Sequence, residues 1–218
     1  MRIGIDLDDV VAVCAVPYLK RFAQEFNVEL PDEKEIGWHL LAQLDKGAPF
    51  DTAVPGLERV TPEERDRFRM RLYDGTFFST LDIYQDCPIV LERLVQQGHE
   101  IYFITARAER RRMVTETWLR EKRILDYAKA VHLKPHGDFD PSQPRGRYDP
   151  AGSASYKTRL ALELGLDVFC EDDVVISRAL ADAGLRVILF DHPWNREVKH
   201  ERVTRVSGWS EVATLLGV

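Results

Sequence analysis

The stretch that decides the fold is residues 1–11, MRIGIDLDDVV. Ile3, Ile5 and Leu7 are apolar, and Asp6, Asp8 and Asp9 crowd the end of the run. A short apolar run that stops in carboxylates reads as a buried strand with acids at its carboxyl end. In open α/β sheets, ligands sit outside the carboxyl ends of the strands. Three acids there repel one another and cost desolvation free energy unless a cation joins them. Clustered oxygen ligands suit Mg²⁺, which takes one or two carboxylates, several waters and a substrate phosphate. The alternative is an acidic cap on the following helix, since Asp favours helix N-termini. One cap needs only one Asp, so a metal site is the stronger reading.

Outward from this strand, the spacing predicts a helix over 16–26 (VPYLKRFAQEF). Pro31 with Asp32, Glu33 and Glu35 breaks it, and a second helix is expected over 36–44. Gly47, Pro49, Pro55 and Gly56 mark a loop. Thr61, Pro62, Glu63 and Glu64 read as a helix start, and Asp74-Gly75 ends that helix. From 17 to 81 the chain is therefore a helical insert without a convincing strand. Regular alternation follows: helix 89–97, strand 99–105, helix 108–122, strand 130–133, loop 135–152, helix 155–164, strand 168–170, helix 174–183, strand 186–190 and helix 209–216. Strands alternating with helices imply a parallel sheet with right-handed crossovers.

Composition bounds the class. The 218 residues are 44% hydrophobic and 30% charged with a net charge of −6, which fits a folded soluble chain of one domain with an insertion or of two small domains. The acidic balance gives no support to nucleic-acid binding. Cys14, Cys87 and Cys170 lack metal-ligand spacing, and so sparse and odd a count points to a reducing, cytoplasmic compartment. No apolar run is long enough to span a bilayer, so no membrane is expected.

The strand ends carry the chemistry: Asp6 and Asp8, Thr105, and Asp172 with Asp173, while Lys157 lies in the helix between the last two ends. Strand ends of a parallel sheet share one edge, so these groups can converge there. Backbone amides of Ala106 and Arg107 are expected to face the same site at a helix start. Two acidic clusters, a hydroxyl and an ammonium are what phosphoryl transfer needs. Each alone has a plainer reading: Thr105 as a helix cap, Lys157 as a solvated lysine, Asp172 and Asp173 as helix-start acids. Their order and placement together argue for the site. A His132/His136 zinc pair is rejected because Pro135 breaks the element between them.

In this order the motifs resemble the haloacid dehalogenase-like phosphohydrolases: IGIDLDDVV for the first motif, YFITAR with Thr105 for the second, Lys157 in SASYKTRLALELG for the third, VFCEDDVV for the fourth. They span residues 1–13 and about 84–206. Within that superfamily the chain is most similar to the cytosolic-type 5′(3′)-deoxyribonucleotidase branch, through its helical insert, Phe77-Phe78 and the FITAR form. The resemblance implies an α/β, Rossmann-like parallel sheet (1–16 and 82–218) with a small helical cap inserted after the first strand (17–81). It implies a Mg²⁺-dependent phosphatase working through an aspartyl-phosphate, with Asp6 as nucleophile and Asp8 as general acid and base. Mg²⁺ would be held by Asp6, the Asp8 carbonyl and Asp172, with Asp173 as an outer or water-mediated ligand. Thr105, Ala106, Arg107 and Lys157 would hold the phosphoryl group. Glu171 makes the fourth motif three acids rather than two, so its register is open.

The substrate implied is a small phosphate ester, foremost a (deoxy)nucleoside monophosphate, with Phe77 and Phe78 of the cap bordering the base. Phe22, Trp38, His39 and Phe50 are expected mainly as cap core. Arg145, Arg147 and His136 lie in the 135–152 loop, which reads either as an entrance wall or as a surface excursion. Residues 191–194 (DHPW) read as a further rim element. A phosphatase of another metabolite or of a nucleic-acid 3′ end, a non-catalytic phospholigand-binding protein, and a homodimer stay open.

Overall fold

The computed structural model describes residues 1–30, 59–135 and 150–218. The expected helix over 36–44, Trp38, His39 and Phe50, and His136, Arg145 and Arg147 lie outside the described residues.

Strand β1 (Arg2–Ile5) is the centre of the molecule. It is followed by β2 (Ala12–Val13), α1 (Ala15–Phe26), α2 (Pro62–Asp74), a 3-10 turn (Phe78–Thr80) and β3 (Asp82–Ile83). Then come α3 (Cys87–Gln96), β4 (Glu100–Ala108), α4 (Arg112–Glu121), β5 (Ala128–Lys134) and α5 (Pro150–Glu163). The chain closes with β6 (Val168–Glu171), α6 (Val174–Asp182), β7 (Arg186–Phe190), β8 (Val203–Val206) and α7 (Trp209–Leu216). The main sheet has six strands in the order β5-β4-β1-β6-β7-β8. All neighbours are parallel, as the alternation predicts. Successive strands leave β1 in both directions, so the strand order reverses there. That is the position where open α/β sheets bind ligands.

The central strands are buried on both faces, which is why they read as unbroken apolar runs. Ile3, Ile5 and Phe103 pack with α1, α3 and α7 in one cluster. Tyr102, Ile104 and Phe169 pack with α5 and α6 in another. Gly4 is forced by close approach: a Cβ there would stand 2.6 Å from the Phe169 ring and 2.7 Å from Leu166 Cδ1. Two buried tryptophans tie helices to loops. Trp209 Nε1 donates to the Val10 carbonyl at 2.8 Å, and Trp118 Nε1 to the Leu81 carbonyl at 2.9 Å.

Three differences from the sequence reading have physical causes. The first strand stops at Ile5 rather than Val11. Beyond it the Leu7 carbonyl accepts both Val11 N–H (2.9 Å) and Ala12 N–H (2.7 Å), so residues 7–12 form a buried tight turn. Strands β2 and β3 pair antiparallel, Ala12 with Ile83 and Val13 with Asp82. Two residues each are too short for any periodicity to betray them, yet they bracket the predicted insert and close its base. Strand β8 escaped because an edge strand is buried on one side only.

In α1 the inward face is Ala15, Tyr18, Leu19 and Phe22, spaced as one helical stripe. Helix α2 begins with the expected threonine cap. Thr61 Oγ1 accepts Glu64 N–H while Glu64 Oε2 accepts Thr61 N–H at 2.8 Å, a reciprocal capping box.

Candidate active site

Asp6 follows β1 directly, its N–H still on the sheet ladder with the Cys170 carbonyl at 3.0 Å. Its carboxylate faces Lys157, which reaches in from α5: Nζ lies 2.8 Å from Asp6 Oδ1 and 2.9 Å from Glu171 Oε2. Lys157 and Glu171 are fully buried. Burial opposes the ammonium charge, but the two carboxylates outweigh it and hold Lys157 well above the usual lysine range. Burial also pushes the Asp6 carboxyl up against the pull of Lys157, and Glu171 up to about 7. Asp172 is raised well above the carboxylate range by burial and by the charges of Glu171, Asp9 and Asp6.

A carboxylate oxygen from each of Asp6, Glu171 and Asp172 lies within 4.8 Å of the others. Opposite ligands of an octahedral Mg²⁺ stand about 4.2 Å apart, twice the ligand distance of about 2.1 Å. The cluster therefore has the right donors and nearly the right size. It also lacks charge balance: three buried carboxylates share the one ammonium of Lys157. Asp6 Oδ1 further lacks a well-aligned hydrogen-bond donor despite its burial and the nearby Nζ. A divalent cation meets each of these demands. It would be held by Asp6, Asp172 and Glu171, the last the acid whose register the sequence reading left open.

Asp173 itself caps helix α6. Its Oδ1 accepts the N–H groups of Val175 (2.8 Å) and Ile176 (2.9 Å), so the structure gives this expected outer ligand the role of a helix cap. Asp9 does the same for α1, accepting Cys14 N–H at 3.0 Å and Ala15 N–H at 3.0 Å. It adopts the left-handed backbone (φ 58) that turns the carboxylate back to those amides. Burial pushes its carboxyl up to about 7.

Asp8 points elsewhere. The Arg107 guanidinium clasps it, with Nη2 at 2.6 Å from Oδ1 and Nε at 3.0 Å from Oδ2. Arg107 is itself buried, its guanidinium carbon 4.1 Å from the centre of the Phe78 ring. A carboxylate pressed against a guanidinium fork forms a strong bidentate pair.

Thr105 lies on β4 beside β1, two residues beyond the Phe103–Ile5 pairing, and is fully buried. The helix start expected at Ala106 and Arg107 is corrected, because β4 runs on to Ala108 and α4 begins only at Arg112. The strand bulges there: pairing with β5 jumps from Thr105–Leu133 to Ala108–Lys134. Such bulges re-aim side chains beside active sites. Here Arg107 turns in to Asp8 and its N–H donates to Thr105 Oγ1 at 3.2 Å. The cap expectation for Phe77 and Phe78 is corrected as well. Both are buried, packed on Tyr73 and on each other, and offer no open ring face to a substrate.

Comparison with known proteins extends these observations. No protein-family model matches the chain. A Bacillus cereus protein named "Putative nucleotidase" is 22% identical over 99% of this chain and 98% of its own. A solved haloacid dehalogenase-like family hydrolase from Streptococcus pneumoniae superimposes with a TM-score of 0.64 at 12% identity, over 99% of this chain and 97% of that one. The chain has the haloacid dehalogenase-like fold. The solved protein tyrosine kinase A of Mycobacterium tuberculosis superimposes with a TM-score of 0.66 at 16% identity, over 100% and 98% of the two chains.

On this haloacid dehalogenase-like frame, sequence reasoning overlooked the Arg107 side chain and Asn195, and read residues 191–194 only as a rim element. The signal for Arg107 was present as a basic residue at the end of a strand facing Asp8. The loop signal was the run of His192, Trp194 and Asn195 just past β7. Glu171 carried a signal too, as the extra acid of the fourth motif. Cys14, Cys87 and Cys170 are buried free thiols. Among the described residues no helix is long and apolar enough to cross a membrane.

Proposed function

We propose that the chain is a Mg²⁺-dependent phosphoric monoester hydrolase acting on nucleoside monophosphates through an aspartyl-phosphate on Asp6. The observation that carries this is the buried set of Asp6, Lys157, Glu171 and Asp172 at the strand-order reversal. A cation bound there supplies charge neutralisation for a phosphate dianion.

The chain's own residues supply the rest. An Asp6 oxygen attacks phosphorus while the bond from phosphorus to the leaving oxygen breaks, and that oxygen takes its proton from Asp8. Asp8 then accepts a proton from the water that hydrolyses the acyl phosphate. With both oxygens on Arg107, Asp8 is a hydrogen-bond acceptor, the form suited to this second step. The first step asks Asp8 to part from Arg107 and carry a proton. Lys157 keeps Asp6 oriented and offers positive charge to the phosphoryl group, and Thr105 adds a hydroxyl at the same edge. The nucleotide reading rests on the name of the Bacillus cereus relative, because Phe77 and Phe78 do not offer stacking surfaces. Residues 17–81, closed at the base by the β2–β3 ribbon, serve as the substrate-selecting cap.

The test is phosphate release from a panel of nucleoside 5′- and 3′-monophosphates, sugar phosphates and a 3′-phosphorylated oligonucleotide, with Mg²⁺ and after chelation. We expect Mg²⁺-dependent turnover, fastest on a nucleoside monophosphate. Preference for a sugar phosphate overturns the nucleotidase reading alone. Full turnover after thorough chelation overturns the metal reading.

A further inference from the structure

We infer that Trp194 and Asn195, in the loop after β7, are positioning residues that orient Asp172 toward a divalent cation; this rests on the metal reading above. Asp172 sits on the turn after β6, and the loop 191–195 of the neighbouring strand grips it from the side. Trp194 Nε1 donates to Asp172 Oδ2 at 3.1 Å and also lies 3.2 Å from the Asp172 carbonyl. Asn195 Nδ2 donates to the same carbonyl at 2.7 Å and to the Phe190 carbonyl at 2.7 Å.

The grip is itself held. Asn195 is fully buried. Its Oδ1 accepts Arg205 Nη1 at 2.6 Å and His192 N–H at 3.2 Å, so its amide is satisfied at both ends. The indole of Trp194 stacks on the His192 ring, 4.2 Å between centres and 7° from parallel. His192 Nε2 lies 2.8 Å from the Asp9 carbonyl. A carbonyl only accepts, so this nitrogen bears the proton. Burial lowers the pKa of His192, which keeps the ring neutral. Loop 191–195 thus braces both acid-bearing turns, the one after β1 through His192 and the one after β6 through Trp194 and Asn195.

The choice of donor gives the brace its chemical sense. Among the described residues Trp118 and Trp209 also bury an indole N–H, but each gives it to a backbone carbonyl. Trp194 shares its own between the Asp172 carbonyl and a carboxylate oxygen. A neutral donor fixes one oxygen of Asp172 without cancelling its charge, unlike the guanidinium on Asp8. The other oxygen is left to ligate a cation shared with Asp6 and Glu171. Groups that orient a ligating carboxylate in this way are typically worth about 10–100-fold in metal affinity.

The experiment is a calorimetric titration of Mg²⁺ into the wild-type protein and into Trp194→Phe. Phenylalanine keeps an aromatic ring on His192 and removes only the donor. We expect the Mg²⁺ Kd to rise about 10–100-fold. Alongside, the rise in melting temperature on adding Mg²⁺ is measured within each protein against its own chelated state, so that any loss of fold stability cancels. That rise should shrink in Trp194→Phe. Equal Kd values and equal Mg²⁺-linked rises in the two proteins overturn this inference and leave the metal reading standing. A wild-type protein that takes up no Mg²⁺ overturns the metal reading and this inference with it.

Discussion

The two acid-bearing turns of the sheet, Asp6/Asp8/Asp9 after β1 and Glu171/Asp172/Asp173 at the end of β6, solve the same problem with the same division of labour. In each, one acid pairs with Lys157: Asp6 in the first turn, Glu171 in the second. In each, the last acid caps the following helix: Asp9 on α1, Asp173 on α6. The turns differ in the middle acid. Asp8 is met by a charged fork from Arg107, Asp172 by the neutral indole of Trp194. Asp8 keeps a quarter of its side-chain surface open, 24%, while Asp172 is buried. A guanidinium neutralises a carboxylate, and an indole leaves its charge available. On the proposed mechanism the difference would suit Asp8 to moving a proton at the mouth of the site and Asp172 to holding a cation inside it.

The largest expected effect breaks this division within the first turn. Asp6→Asn should abolish phosphate release while substrate still binds, since an amide of the same shape is a poor nucleophile. Asp8→Asn should slow turnover about 10²–10⁴-fold, the usual cost of a lost acid–base group. Steady-state turnover and equilibrium binding of a nucleoside monophosphate read both. An Asp6→Asn protein with near-normal turnover excludes the covalent route.

A second variant probes what stands behind Asp8. Phe78→Ala removes the ring under Arg107 and opens the core, at a cost of about 3–5 kcal/mol by urea denaturation. Turnover should fall alike on a nucleotide and on a ring-free sugar phosphate, because the ring supports Arg107 and touches no substrate. A loss confined to the nucleotide would restore Phe78 to the substrate site.

The smallest effects come from the two caps. Asp9→Ala and Asp173→Ala should each cost about 0.5–2 kcal/mol of stability, the usual range for a lost helix cap. Asp9 should stand at the upper end, because it is buried and serves two amides. Denaturation midpoints test the order. If Asp173→Ala instead weakens Mg²⁺ binding tenfold at unchanged stability, Asp173 belongs with the ligands after all.

Much of this was legible in residue order. The alternation from residue 82 onward predicted the parallel sheet, and strand-end placement put the Asp6 and Asp172 carboxylates at one edge, where they meet. Local spacing suffices there because a parallel strand must be apolar throughout and must end at the shared edge. The threonine cap of α2 was equally plain, since capping is a contact between residues three apart.

Roles among neighbouring acids were not legible. Asp8 and Asp9 are identical side chains one position apart, as are Asp172 and Asp173. Which one caps a helix, which meets Arg107 and which is held by Trp194 depends on the left-handed turn at Asp9, the bulge after Thr105 and the return of the chain at residues 191–195. The ring faces of Phe77 and Phe78 were lost to packing for the same reason: burial is a property of all the elements around a residue. The sequence by itself determined where carboxylates, hydroxyl and ammonium gather, because β-strand periodicity and sheet topology are local rules. Only the tertiary structure decided which carboxylate does what, because that depends on partners brought in from far along the chain, Arg107 to Asp8 across 99 residues and His192 to the Asp9 carbonyl across 183.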